Sequence, residues 1–130
     1  MTIHATLRYD DVDAAIAFLT VALGLTSHDI TRDAAGRISH ATLAHEGDVV
    51  MIGTRSDPPG AFDTGRAVLY LATDDVGAHH DRAVAAGAPV IMELTDQPYG
   101  SREYAVADPE GNVWSVGTYR PAGTDVAVSS

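Results

Sequence analysis

The chain contains no cysteine, so it can form neither a disulfide nor a thiolate nucleophile or metal ligand. A reducing cytoplasm is therefore the expected location. Basic residues are also scarce, because Lys and Arg together number 8 against 18 Asp and Glu, for a net charge of −10. This balance argues against nucleic acid and anionic membrane surfaces as partners. It is compatible with a cationic or neutral small-molecule ligand.

Four further features are missing. No apolar run is long enough to span a bilayer, and no signal-peptide pattern is present. There is also no Gly-rich phosphate loop and no nucleophile elbow. What the chain does have is an ordinary globular share of apolar residues, 45% of 130 residues. That is enough for one compact domain with a real core.

The chain repeats itself at an offset of 64 residues, since Asp11 recurs as Asp75. Asp10-Asp11-Val12 matches Asp74-Asp75-Val76, and Gly53-Thr54 matches Gly117-Thr118. A constant offset over separated segments indicates a duplicated module. Two such modules would be related by a pseudo-two-fold axis, and a site on that axis would draw on matched positions.

Each repeat has the pattern of a strand, a helix and three further strands. In the first, alternation over residues 3–9 predicts a strand, Asp11 a helix N-cap, and Glu46-Gly47 a hairpin turn. In the second, Asp75 caps the helix and DPEGN at residues 108–112 forms the turn. We predict one α+β domain with a first βαβββ module over 1–55, a linker over 56–66, a second module over 67–120 and a flexible tail over 121–130.

Two βαβββ modules, with DDV opening each helix and DPEGN turning the last hairpin, resemble the vicinal oxygen chelate superfamily. This group includes glyoxalases, bleomycin-resistance proteins and ring-cleaving dioxygenases. The resemblance extends to about Arg120 and is most specific over residues 96–119. It implies sheets that cup a pocket, helices on the outside, and pairing of two chains into a homodimer. Because the superfamily includes lyases, isomerases, dioxygenases and non-catalytic drug binders, the fold does not determine the function.

The resemblance also implies four metal-ligand positions, which form two pairs at the 64-residue offset. Here they are occupied by His4, Met51, Val68 and Ser115. Only His4 is a usual ligand, since valine has no lone pair and the methionine thioether is soft. A catalytic zinc or iron site needs about three protein ligands. We therefore predict no metal and no other cofactor. The alternative is a displaced metal site that uses His40, Glu103 or Asp108.

Strand alternation from His4 defines a candidate pocket face. Pairing across Glu46-Gly47 would add His40 to this face and, at the 64-residue offset, Tyr104, although a slip of one residue would reverse both. Tyr99 would close the pocket mouth, whereas Trp114 would belong to the core. Arg102 and Glu103 would form a buried pair or bind a polar ligand, and a surface salt bridge is the alternative. The predicted ligand-binding residues are His4, Arg8, His40, Met51, Tyr70, Tyr99, Arg102, Tyr104 and Ser115.

The predicted function is that of a metal-free small-molecule-binding protein of the glyoxalase and bleomycin-resistance type. The acidic balance favours a cationic or aromatic ligand over an anionic one. One alternative is a metal-dependent glyoxalase-type lyase or dioxygenase. The other is a metal-free isomerase or hydrolase that uses His4 as its base.

Overall fold

The structure, a computed structural model, describes residues 3–121. The predicted tail therefore lies outside the described residues, apart from Pro121. The βαβββ order occurs twice, as predicted. The elements are β1 (Thr6–Tyr9), α1 (Val12–Val21), β2 (Thr26–Arg32), β3 (Ile38–His45), β4 (Asp48–Thr54), β5 (Val68–Ala72), α2 (Val76–Ala85), β6 (Val90–Asp96), β7 (Arg102–Ala107) and β8 (Val113–Gly117).

The strands form two four-stranded mixed sheets, with the orders β1-β4-β3-β2 and β5-β8-β7-β6. The first two strands of each order are parallel, and the other neighbours are antiparallel. Thr6 pairs with Met51 in the first sheet, and Tyr70 pairs with Ser115 in the second. The second pair is the first shifted by 64 (70 − 6 and 115 − 51). The sequence repeat therefore extends to the register of the parallel strands.

Both helices begin at the predicted aspartates. The Asp11 carboxylate accepts a 3.0 Å hydrogen bond from the backbone N of Ala14, and Asp75 accepts the equivalent 3.0 Å bond from Ala78. Each carboxylate thereby satisfies one of the backbone donors that a helix leaves unpaired at its start. Within residues 3–121, neither helix has the length and apolar character that crossing a bilayer requires.

One face of each sheet packs into a core that is shared by the two modules. Tyr9, Leu43 and Ile52 enter it from the first module, and Trp114 and Val116 enter it from the second. Trp114 is completely buried, as the strand alternation predicted. The opposite face of each sheet is not covered by a helix, and we call it the open face.

A buried carboxylate joins the modules. Asp108 Oδ2 accepts hydrogen bonds from Tyr9 Oη at 2.7 Å, Asn112 Nδ2 at 3.0 Å and Trp114 Nε1 at 3.1 Å. Asp108 Oδ1 accepts from the backbone N of Glu110 at 3.0 Å and of Asn112 at 2.9 Å. Burial and the adjacent Asp108 raise the pKa of Tyr9 well above its usual value, so the phenol stays protonated and remains a donor.

The start of α1 is also held by the second module. Glu110, in the DPEGN turn, accepts hydrogen bonds from the backbone N of Asp10 at 2.8 Å and of Asp11 at 2.9 Å. A carboxylate at a helix N-terminus interacts favourably with the helix dipole as well as with the free N–H groups. The geometry of one turn therefore fixes the start of a helix that is about 100 positions away in the chain.

The end of α1 is held in the same way. Arg82 of α2 donates to the carbonyl oxygens of Val21 at 2.9 Å and Thr20 at 3.0 Å. His79 Nε2 lies 2.8 Å from the carbonyl oxygen of Leu23. Burial lowers the pKa of His79, so the ring is neutral near pH 7, donates through Nε2 and accepts through Nδ1. Both ends of the first helix thus depend on side chains of the second module.

Replacement of Tyr9 by Phe tests the link between the modules. We expect Tyr9→Phe to lower the free energy of unfolding by about 1–3 kcal/mol, because Asp108 loses a buried donor. Urea unfolding measures this change. The control is Tyr119→Phe, because the Tyr119 side chain is 50% exposed. We expect this substitution to change the free energy of unfolding by no more than about 0.5 kcal/mol. Equal effects of the two substitutions would show that the Tyr9 hydroxyl does not stabilise the fold.

Candidate ligand-binding site

The register of the last hairpin corrects one part of the predicted site. Ala41 pairs with Ile52 in the first module, whereas Tyr104 pairs with Val116 in the second. The paired residues are 11 positions apart in the first hairpin (52 − 41) and 12 apart in the second (116 − 104). On β7 the structural offset is therefore 63 rather than 64. Tyr104 takes the place of buried Ala41, because a one-residue slip reverses the face.

Tyr104 consequently faces α2 and not the open face. Its side chain is completely buried, and its hydroxyl lies 2.5 Å from His79 Nδ1. Arg102 is two positions earlier on the same strand, and its Nε lies 3.8 Å from Asp96 Oδ1 in an exposed ion pair. The prediction that Tyr104 lies on the pocket face is thus wrong, and Arg102 has the alternative role of a surface ion pair.

The residue that the slip brings to the open face is Glu103. Its carboxylate accepts hydrogen bonds from three hydroxyl groups: Tyr70 at 2.9 Å, Ser101 at 3.0 Å and Tyr99 at 2.6 Å. Glu103 is only 5% exposed. The carboxylate is therefore held behind two tyrosine rings that project away from it.

The charge on Glu103 follows from these contacts. Burial by itself would raise the pKa of Glu103, but the hydrogen bonds from Tyr99, Tyr70 and Ser101 outweigh it and lower the pKa. The bond to Glu103 also raises the pKa of Tyr99 to about 12. Glu103 is therefore ionised and Tyr99 protonated at neutral pH. Among the ion pairs formed by residues 3–121, none includes Glu103.

A glycine makes room for this arrangement. A Cβ atom at Gly117 would collide with Glu103 Cγ and with the Tyr70 hydroxyl. The matched residue, Gly53, has a different reason to lack a side chain, because its Cβ would lie 2.6 Å from the carbonyl oxygen of Ser39. The equivalent glycines thus leave space for side chains in the second module and for the backbone in the first.

An open groove of about 610 Å³ lies over these residues. Tyr119 forms part of its wall and meets the rings of Tyr70 and Tyr99 nearly edge-on, with centroid distances of 6.4 and 6.1 Å. Tyr119 was not among the predicted binding residues, and Glu103 was considered only together with Arg102, as a buried pair or as a contact to a polar ligand. An aromatic residue just after the last strand is the signal that could have identified Tyr119. The main lining residues are Val68, Tyr70, Tyr99, Glu103, Ser115 and Tyr119.

The other predicted binding residues belong to the first sheet. Nδ1 of His4 lies 3.0 Å from the carbonyl oxygen of Val49, and the Arg8 guanidinium lies 5.8 Å from the ring centroid of Phe62. His40 is exposed and Met51 is half-buried. None of these four residues lines the groove over the second sheet, as far as the described part of the chain shows. The predicted set is therefore divided between two separate faces.

A second cavity, of about 410 Å³, lies between the modules. His45, which has no recognisable partner in the sequence, bonds here through Nε2 to the carbonyl oxygen of Ala72 at 2.8 Å. Arg120 at the rim donates to Glu46 and Asp74, both at 3.0 Å. These polar groups already have partners within the protein. The groove over the second sheet, with its exposed rings and ionised Glu103, is therefore the better candidate site.

Comparison with known proteins agrees with this architecture. The family model for the Glyoxalase/Bleomycin resistance protein/Dioxygenase superfamily matches residues 2–116. The chain belongs to this superfamily. It is 34% identical to an uncharacterised protein of Mycobacterium bovis over 119 residues, which cover 85% of this chain and 78% of that protein.

Solved structures of this superfamily are similar to the chain. TioX from Micromonospora sp. ML1 is 30% identical, with a TM-score of 0.74 over 92% of this chain and 100% of TioX. A lactoylglutathione lyase from Agrobacterium tumefaciens is 24% identical, with a TM-score of 0.67 over 90% of this chain and 92% of the lyase. The second likeness supports the fold alone. Proteins with different names therefore share the architecture of this chain.

The four positions implied for a metal do not fit one. Met51 lies on the first sheet, with His4 just before its strand β1, and Val68 and Ser115 lie on the second sheet; only His4 offers a usual donor. Within residues 3–121, no group of three or more His, Asp or Glu side chains is placed to hold an ion. A displaced site does not fit either, because Asp108 is already bonded to five donors and Glu103 to three hydroxyls.

The absence of a metal is a testable prediction. We expect the purified protein to contain no stoichiometric zinc, nickel, iron or manganese, because the ligand positions lack hard donors. Elemental analysis of protein prepared without chelator provides the measurement, with His4→Ala as the control. About one metal per chain, lost in His4→Ala, would contradict the prediction and favour the metal-dependent lyase or dioxygenase alternative.

Proposed function

We propose that this superfamily member is a small-molecule-binding protein that binds a cationic or aromatic compound in the groove over the second sheet, without a metal. The observation that carries the proposal is the group of Tyr70, Tyr99 and Tyr119 rings around an ionised Glu103. A concave, mainly apolar surface with few fixed polar groups is the usual form of a ligand site. We expect the protein to act in the cytoplasm, as its lack of cysteine suggests.

The chemistry of the groove supports binding rather than catalysis. A general base near neutral pH is most often a histidine, yet no histidine lines the groove in the described part of the chain. His4, the base of the metal-free enzyme alternative, lies just before β1 of the other sheet, near the carbonyl oxygen of Val49. Glu103 has a lowered pKa and already accepts three hydrogen bonds, so it is a weak base.

A thermal-shift screen tests the proposal. The compounds are planar aromatic and cationic antibiotics, compared with small keto acids and thioesters. A ligand that binds the folded state raises the melting temperature by linkage. We expect hits among the aromatic and cationic compounds, and we expect Tyr99→Ala to weaken them by about tenfold. Phe62→Ala is the control, because Phe62 is an exposed aromatic residue that does not line the groove.

Two outcomes would contradict this proposal. Hits that survive the loss of Tyr99 and are lost with Phe62 would move the site away from the groove. Turnover of a keto acid or thioester by metal-free protein, abolished in His4→Ala, would establish the isomerase or hydrolase alternative instead.

We also propose that two copies of the chain form a homodimer. The lining of the groove comes from one sheet and the residues after it, and Val68 at its edge is 75% exposed. A second copy would cover this apolar surface and supply a facing wall. The outer strands β1, β2, β5 and β6 also have unpaired edges that a partner can cover.

Light scattering gives the measurement for the dimer. We expect twice the chain mass at micromolar concentration, and we expect Val68→Glu to shift the equilibrium towards the monomer because it places a charge in the contact. Ile91→Glu is the comparison, since Ile91 is also an exposed apolar residue but does not line the groove. A monomer at every concentration tested would refute the dimer.

A further inference from the structure

We propose that Tyr70, Tyr99, Tyr119 and Glu103, which we call the tyrosine corner, bind the N-alkylated ammonium group of an organic cation. This inference rests on the proposed function and narrows its ligand class from cationic or aromatic compounds to quaternary or tertiary ammonium compounds. Three observations support it: the geometry of the rings, the negative charge behind them, and the small number of hydrogen-bond acceptors that are not already used within the protein.

The three rings form perpendicular walls. The ring plane of Tyr119 makes angles of 78° with Tyr70 and 79° with Tyr99. The exposed fractions are 37% for Tyr70, 62% for Tyr99 and 50% for Tyr119. All three side chains are therefore partly accessible from the groove. A cation within about 6 Å of a ring centroid is attracted by the negative face of the π-system, and adjacent perpendicular rings allow one cation to contact more than one ring.

A negative charge lies directly behind these rings. Both tyrosine hydroxyls that contact Glu103 donate to it, so their O–H dipoles point at the carboxylate. The donors are neutral, and they stabilise the charge on Glu103 without cancelling it. The charge on Glu103 would repel an anion in the groove and attract a cation. This attraction is stronger than in bulk water because the site is partly desolvated.

The hydrogen bonds already made in the corner select the type of cation. Two bonds from Tyr70 and Ser101 end on Glu103 Oε2, one from Tyr99 ends on Oε1, and the residue is almost fully buried. A primary ammonium group entering the corner would lose its water and find few free acceptors for its three N–H groups. An alkylated ammonium has no such need, and its alkyl groups pack against the rings.

The test uses three probes: choline, its neutral isostere of equal size in which carbon replaces nitrogen, and ethanolamine, the smaller primary ammonium compound that lacks the three methyl groups. Each is titrated into the full-length protein and followed by heteronuclear NMR of the backbone amides. We expect choline to bind about tenfold more tightly than its neutral isostere. We expect ethanolamine to bind more weakly than choline, with the largest shifts at residues of the tyrosine corner.

Two variants separate charge from shape. Glu103→Gln should reduce the preference for choline over its isostere, because the ring faces remain but the charge is lost, and it should leave the weak binding of the isostere unchanged. Glu93→Gln is the matched control, because Glu93 is an exposed carboxylate on β6, with a side chain that is 73% exposed and outside the groove. If Glu103→Gln does not fold, Tyr119→Leu serves instead, since it removes one wall and should lower choline affinity more than isostere affinity.

The outcomes distinguish this inference from the proposed function. Equal affinities of choline and its isostere, or a preference that is undiminished in Glu103→Gln, would overturn the cation site without contradicting the aromatic groove. Failure of choline to bind at millimolar concentration would do the same if the thermal-shift screen still yields hits that depend on Tyr99. Failure of both experiments would refute the proposed function itself.

Discussion

The buried carboxylate of Asp108 is the interaction on which the rest of the structure depends. A buried carboxylate is costly unless its oxygens are bonded, and Asp108 receives five hydrogen bonds from the last hairpin and from Tyr9 of the first module. These bonds close the DPEGN turn, orient Trp114 in the core and bring Glu110 to the start of α1. One short turn thereby sets the last hairpin, the contact between the modules and the position of a distant helix.

The elements that could be predicted from the sequence are those specified by neighbouring residues. Asp11 and Asp75 cap their helices because the capping bond spans three positions, and Trp114 is buried because strand alternation is local. The predicted orientation of Tyr104 was wrong, because the orientation depends on one extra residue in the second hairpin. A constant sequence offset does not reveal this extra residue. The partner of His45 depends on how the two modules pack, and no local pattern encodes that contact.

The two modules keep a common backbone but use it differently at the candidate site. His40 of the first sheet and Glu103 of the second occupy equivalent places once the structural offset of 63 on β7 is applied (103 − 40). His40 is exposed, whereas Glu103 is buried among hydroxyl groups. The equivalent glycines, Gly53 and Gly117, leave space that is filled by backbone in one module and by side chains in the other. The candidate site is therefore a property of one module and not of the duplication.

The dependence of α1 on the second module has a consequence for the order in which the chain is made. Ribosomal synthesis releases the N-terminal half first, and domains generally fold as units as they emerge. The groups that bond to the two ends of α1 come from His79, Arg82 and Glu110, which are synthesised much later. The nascent first module therefore cannot reach its final packing alone. The apolar face that it shares with the second module stays uncovered until most of the chain has left the ribosome.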